Sequence, residues 1–498
     1  IKQSNLESQK GNYKESLVFA KAAYEKSKSA LGEVSTQFAG ASHVLASCYN
    51  SLNQYDSAEV HFVKALEIWE KIYGNQHLNY GRSLNNLGMV YCNTGQFKKA
   101  ESALSGAREI FAKTLGTKHV FYTNAIYNLG RVYFGMGLYK KAEQFLVEAR
   151  NIRKELFGKN SASYGYCLMQ LGLVYHSQGF YDKSESNHIE CLEIFEKTIG
   201  KKHPDYAAVL MNFANLSWKI GRYQRAEQLY RESLDIAAEK FGTQNSQYGR
   251  VVYNMANLYH VTGQYMKADS CYLVSLQLFE KTLGKKHPSY LTLLKDYGLL
   301  KLEMAQFDQA EKIFLKASDL QERFLGTETK NFALLEIFRA RSFQEMGQLD
   351  IAADLSRQGL ERYGRIAGKE NYDYIQYLIG DGDIAEVMKR YDRMESAFTE
   401  AILLQQNILA NASTYLTLEE LQQFDQRFQG NEDALGSVCY RNHANLPSLL
   451  RLYSNYVLSH HCFLLDNSLT LNKLLREAPD SIQVLLEQWR DRQVLLAG

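Results

Sequence analysis

Amide, guanidinium and phenol side chains recur in this chain at a spacing that could hold a ligand: Arg82, Asn85 and Asn86; Asn124, Tyr127, Asn128 and Arg131; Asn212 and Asn215; Arg250, Tyr253, Asn254 and Asn257. On a helix, positions three, four and seven apart share one face, so each group can converge on one bound molecule. Asparagine is a poor choice for a helix interior, because its side chain competes for backbone hydrogen bonds. Its return at Asn86, Asn128, Asn212 and Asn254 therefore needs a reason. One reason is that a side-chain amide can pair with both the N–H and the C=O of an extended peptide. Arg82, Arg131 and Arg250 would then favour acidic side chains or a carboxylate terminus. The other reading is that these asparagines bond between neighbouring units of the fold or face solvent.

Other chemistry-bearing residues read as structural. His77, His119, His203 and His287 stand at equivalent places where Ser161, Asn245, Thr329 and Asn371 stand elsewhere. Exchange among His, Ser, Asn and Thr points to capping of a following helix and not to metal binding. The pairs Lys201-Lys202 and Lys285-Lys286 read as a solvated rim. There is no GxxxxGK[ST] loop, GxSxG elbow or HExxH motif, and Asp381-Gly382-Asp383 lacks the rest of a calcium loop. Cys462 follows His460 and His461, but neighbouring residues on a helix point in different directions. No catalytic residue, cofactor or metal ion is expected within this chain.

The 498 residues carry 57 Lys plus Arg against 55 Asp plus Glu, a formal charge of +2 with both signs interspersed. That balance does not suggest a nucleic-acid partner. Seven scattered cysteines without a CxxC pair read as reduced, buried small residues of a cytoplasmic protein. No apolar run approaches the roughly 18 residues of a membrane span, and no signal peptide is expected. Because the sequence begins at Ile1, a fragment of a longer protein is expected. Only 4 prolines accompany 33 glycines, which argues against proline-rich linkers and loop-rich β architectures.

The elements that position the polar stripe come from an internal period of 42 residues, unbroken over the first 410. One register holds Gly11, Asn53, Gly95, Gly137, Gly179, Gly221, Gly263, Ala305, Gly347 and Lys389. An aromatic follows two places on in nearly every unit, as at Tyr55, Phe97, Tyr139 and Tyr223. A second register runs Gly32, Gly74, Gly116, Gly158, Gly200, Gly242, Gly284, Gly326 and Gly368, ending at Ala410. Between them lie stretches with helical spacing of apolar residues, so each unit is a helix A, a tight turn, a helix B and a second turn. Ala46, Gly88, Gly130, Gly172, Ala214, Ala256, Gly298, Ala340 and Gly382 form a third register, on helix A. Glycine within a helix costs about 1 kcal/mol relative to alanine, so its recurrence predicts close helix–helix contact. The turn glycines are expected to supply left-handed backbone.

The order Leu87-Gly88, Tyr91, Gly95-x-Phe97, Ala100, Ala107 resembles the tetratricopeptide repeat, in the 42-residue variety of kinesin light chains. Gly200-Lys-Lys-His203-Pro204-Asp-Tyr206 and Gly284-Lys-Lys-His287-Pro288-Ser-Tyr290 are similar to that family's connector. The resemblance implies an all-α, right-handed solenoid of ten stacked hairpins, the first clipped at its N-terminus, over residues 1–410. Its A helices would line the concave groove, and the polar stripe would be the peptide- or protein-binding face.

Residues 411–498 lose the period. The segment 415–424 reads as a capped helix, 446–465 as a long apolar helix and 481–496 as an amphipathic one. Tyr415-Leu416-Thr417 with Glu419-Glu420, then Asn455, Leu458 and Leu464-Leu465, then Trp489 with Arg492, resemble the helical connector that precedes CHAT cysteine proteases, with His461-Cys462 in place of the usual Lys-Gly. That resemblance implies a regulatory or sensor arm whose protease domain follows in cis, beyond Gly498. The alternatives are a stand-alone adaptor of the kinesin-light-chain kind and the sensor region of a signalling kinase. The expected partner is a protein or peptide, with no nucleic acid and no membrane.

Overall fold

The computed structural model describes residues 1–9, 12–52, 54–413 and 428–466. The expected helices at 415–424 and 481–496, and the residues Gly11, Asn53, Trp489 and Arg492, lie outside the described residues, as do the side chains of His461 and Cys462. Among the described residues the chain forms twenty-two helices and no strand. In order they are α1 Lys2–Gln9, α2 Tyr13–Leu31, α3 Thr36–Ser51, α4 Tyr55–Tyr73, α5 Leu78–Asn93, α6 Phe97–Leu115, α7 Val120–Gly135, α8 Tyr139–Phe157, α9 Ala162–Gln178, α10 Tyr181–Thr198 and α11 Pro204–Lys219. There follow α12 Tyr223–Phe241, α13 Ser246–Val261, α14 Tyr265–Thr282, α15 Pro288–Glu303, α16 Phe307–Leu325, α17 Lys330–Glu345, α18 Leu349–Ala367, α19 Tyr372–Val387, α20 Tyr391–Ser413, α21 Gln429–Arg441 and α22 Pro447–Asp466. Odd-numbered helices from α3 to α19 are the A helices and even-numbered ones to α20 the B helices. The chain divides into two compact units, Ile1–Leu258 and Tyr259–Gly498.

Each A helix starts where a side chain satisfies an orphan N–H of its first turn. The Nδ1 atoms of His77, His119, His203 and His287 accept from the N–H two residues on, at 3.1–3.2 Å. Ser161, Thr329 and Asn371 accept from the N–H three residues on. The histidines are thus caps, as their exchange with Ser, Thr and Asn implied.

The two turn registers differ in a way the sequence alone does not show. At the A-to-B turn, Gly179 has φ 84° and ψ 4°, a true left-handed conformation. Ala305 (φ 54°) and Lys389 (φ 56°) hold a positive φ in the same register despite their Cβ atoms. At the B-to-A turn, Gly116 has φ 80° and ψ 167°. That region is essentially open to glycine alone, so left-handed helical backbone is the correct expectation for the first turn and not for the second. The difference explains why the second register stays glycine through Gly368 while the first admits Ala and Lys.

The small positions on the A helices are contact points. A Cβ on Gly88 would lie 2.7 Å from Leu104 Cγ, and one on Gly172 would lie 2.6 Å from His188 Cε1. The cores run between hairpins. Ala100, Leu104, Leu129, Val132, Ala142, Leu146 and Leu171 pack together, drawn from three successive units of the repeat.

In the first unit, consecutive A helices (α3 with α5, α5 with α7, α7 with α9, α9 with α11) approach one another. Successive B helices make no approach of that extent among the described residues. The A helices therefore form the compressed, inner side of this unit.

In the second unit the non-repeat helices continue the core. Leu435, Val438 and Cys439 of α21 and Leu449 and Tyr456 of α22 share a cluster with Phe398 and Ile402 of α20. The Glu386 carboxylate receives Arg441 at 2.8 Å and the Asn442 amide at 2.7 Å, tying α19 to the end of α21. Among the described residues no helix is long and apolar enough to cross a membrane.

Candidate functional site

All thirteen residues of the polar stripe lie in the first unit, on α5, α7, α11 and α13. The structure joins several of them into a chain of hydrogen bonds along the A-helix wall. Asn128 Nδ2 donates to Asn85 Oδ1 at 3.2 Å. Asn85 Nδ2 donates to Asn86 Oδ1 at 3.1 Å, and Asn86 Nδ2 reaches His43 Nε2 on α3 at 3.4 Å. His43 Nδ1 then meets Ser83 Oγ at 2.9 Å. Burial first, and Arg82 second, push the His43 imidazole down to about 4, so the ring is neutral at pH 7. A neutral ring that accepts at Nε2 carries its proton on Nδ1 and donates it to Ser83, so every bond in the chain runs in one direction.

This lattice uses both ends of the Asn85 and Asn86 amides but only the nitrogen end of Asn128. Asn128 is only 9% exposed, and its Oδ1 has no partner among the described residues. On α7, one turn earlier, Asn124 accepts from Arg153 through its Oδ1 at 2.9 Å, which leaves its two N–H donors without a partner among the described residues. A free acceptor and a free donor pair thus stand four residues apart on one face. Further along, Asn215 Oδ1 accepts a hydrogen bond from Tyr230, while the half-buried amides of Asn212 and Asn254 make no hydrogen bond among the described residues. Tyr253 and Asn257 are engaged by neighbours.

The guanidinium groups of the stripe are not neutralised. Arg82 lies over the Phe121 ring at 5.4 Å, Arg250 donates to Gln247, and Arg131 makes no hydrogen bond among the described residues. Among the described residues none of the three has a carboxylate within ion-pair distance. Some arginines elsewhere are compensated, as where Arg339 meets Glu311 at 2.7 Å, Arg362 meets Glu336 at 2.9 Å and Arg393 meets Asp381 at 2.7 Å.

Three residues outside the stripe also build this wall. His43 extends the amide chain, Tyr166 of α9 donates to Asp205 of α11 at 2.5 Å, and Arg153 reaches in from the B helix α8. Arg153 stands in a core register that holds aromatic residues at Trp69, Phe111, Phe195, Phe279 and Tyr363 and the buried Ala237, Gln321 and Gln405 elsewhere. That departure is visible in the sequence once the period is known.

Stacked two-helix hairpins with a 42-residue period, small residues at each internal contact and an amide-lined inner wall define an all-α repeat solenoid. The tetratricopeptide-repeat family matches residues 37–105, 82–155, 166–239 and 249–323, more than half of the chain, and the chain belongs to that family. A search of curated proteins finds no match.

Among solved structures, the apo quorum sensor NprR from B. thuringiensis is similar at 17% identity, covering 71% of this chain and 97% of that one, with a TM-score of 0.52. A Rap protein solved with competence and sporulation factor is similar at 11% identity, covering 74% and 98%, also with a TM-score of 0.52. BtubC (BKLC) from P. vanneervenii is 19% identical over 46% of this chain and 92% of that one, with a TM-score of 0.38. For NprR and the Rap protein the likeness, at these identities, is one of fold.

Proposed function

We propose that this protein is a non-catalytic interaction scaffold that holds an extended peptide or protein segment along the A-helix wall of its first unit. The observation that carries the reading is the pairing of unused amide groups at Asn124 and Asn128 with the uncompensated guanidinium of Arg131, all on one face of α7. An extended backbone offers alternating N–H and C=O groups that such amides can satisfy. The Rap protein of similar fold was solved with competence and sporulation factor, which supports a ligand-holding role for this architecture.

The test is selection of binders from a random peptide display library against the folded chain. The double substitution Asn128→Ala with Arg131→Glu is expected to abolish capture of the selected peptides while helicity is retained. Unchanged capture would place the site elsewhere.

The finer reading is that the scaffold is the regulatory arm of a CHAT-type cysteine protease, with ligand capture transmitted through the helical connector. It rests on the resemblance of the 415–492 region. Reading the gene beyond the codon for Gly498 tests it: a domain with a His and a Cys at strand ends supports the arm. A stop codon there would favour the adaptor.

A further inference from the structure

Arg153 is 6% exposed, and no carboxylate lies within ion-pair distance of it among the described residues. A charge taken out of water without a counter-ion is costly unless something else is gained. Its guanidinium is held in place by the Ser163 carbonyl at 3.0 Å, by Cys167 Sγ at 3.5 Å and by Asn124 Oδ1 at 2.9 Å. It also stacks 4.6 Å from the Tyr127 ring centroid. Both Asn124 and Tyr127 face the wall where the ligand is expected. Five other units fill this register with an aromatic ring and three with the buried Ala237, Gln321 and Gln405, so packing alone does not demand an arginine.

An amide has two ends, and what binds one end decides what the other presents. Because Arg153 can only donate, it locks the Asn124 oxygen inward and turns the Asn124 N–H groups outward. The buried positive charge polarises that amide and is weakly screened, so the outward donors act as a charge-assisted anion subsite. Arg131, one helical turn beyond Tyr127, adds a second uncompensated cation to the same face.

We infer that Arg153 is a positioning residue that makes the Asn124–Tyr127–Arg131 face a subsite for an acidic side chain of the bound peptide. The inference rests on the peptide-binding reading above and adds to it the chemical class of the ligand at one place. The occupant is a carboxylate of Asp or Glu, and the residue that selects it does not touch it.

The experiment uses the folded chain and a peptide selected from a random display library, together with the same peptide carrying Asn or Gln in place of each Asp or Glu. The wild-type protein is expected to prefer the acidic peptide by about tenfold, the equivalent of one good charged contact. Arg153→Phe introduces the ring that five other units use and is expected to fold, yet to reduce that preference to within about twofold. Asn124→Asp keeps an acceptor for Arg153 while turning a carboxylate to the wall, and is expected to reverse the preference. Retention of the wild-type ratio by both folded variants would overturn the inference, as would groove-dependent peptides with no acid preference. Peptides whose binding survives Asn128→Ala with Arg131→Glu would instead overturn the groove reading itself.

Discussion

The Asn128 side chain donates to the Asn85 side chain across 3.2 Å, from α7 to α5, so two residues of the polar stripe hold one another across a repeat boundary. Sequence spacing put both on one wall and left two roles open, ligand contact and inter-repeat bonding. The structure supplies the second role at this pair and leaves the Asn128 oxygen free for the first. The same bond that stiffens the wall also fixes which end of Asn128 a ligand would meet.

Asn128→Ala is expected to cost about 1 kcal/mol, the usual net worth of one hydrogen bond at a partly buried site. Urea unfolding of Asn85→Ala, Asn128→Ala and the double variant would check it, with a coupling energy of about 0.5–1.5 kcal/mol between the two sites. Strict additivity would mean that the bond does not form in solution.

Ala305 and Lys389 hold φ values of 54° and 56° where most units carry glycine. Replacing either with glycine removes left-handed strain of roughly 1–2 kcal/mol and returns part of it as unfolded-chain entropy, for a net gain of about 0.5–1 kcal/mol. Gly116→Ala is expected to do the opposite and cost about 1–3 kcal/mol, because its φ and ψ belong to the glycine-only region. Thermal midpoints of the three variants would check both directions.

His188 is fully buried in the register of Leu104 and Leu146, with neither ring nitrogen hydrogen-bonded among the described residues. Burial, the larger cause, and His176 push its imidazole from 6.5 down to about 3. A depressed histidine binds its proton more readily in the unfolded chain, so the part of its effect that depends on pH is absent above pH 6.5. Stability is then lost as the pH falls from about 6.5 towards 3. His188→Leu should raise stability at pH 7 by about 1–3 kcal/mol, the cost of an unsatisfied buried polar group. It should also flatten the acid limb of a stability-against-pH curve. An unchanged acid limb would mean that another group governs it.

The repeat was legible because its constraints are tied to single positions: glycine where φ must be positive, glycine or alanine where Leu104 or His188 presses on helix A, and His, Ser, Thr or Asn where a helix needs a cap. Side-chain pairing across repeats was not legible, since whether Asn128 reaches Asn85 or a ligand depends on distances that spacing does not fix. Arg153 was hidden for a different reason. It lies on a B helix, and attention to the A-helix face passes over a core register in which rings alternate with Ala237, Gln321, Gln405 and this one arginine. The ψ angle that separates Gly116 from Gly179 leaves a trace only in which register tolerates Ala305 and Lys389. Nor does the 42-residue period carry any mark of the division between Leu258 and Tyr259.

The most direct test of the central claim is photo-crosslinking of a library-selected peptide to the chain carrying a benzophenone side chain at one position at a time. Placed at Tyr127, on the A-helix wall, the probe is expected to capture the peptide. Placed at Val60, which is 64% exposed on the B helix α4, it is expected to capture nothing. Capture at Val60 with none at Tyr127 would contradict the account.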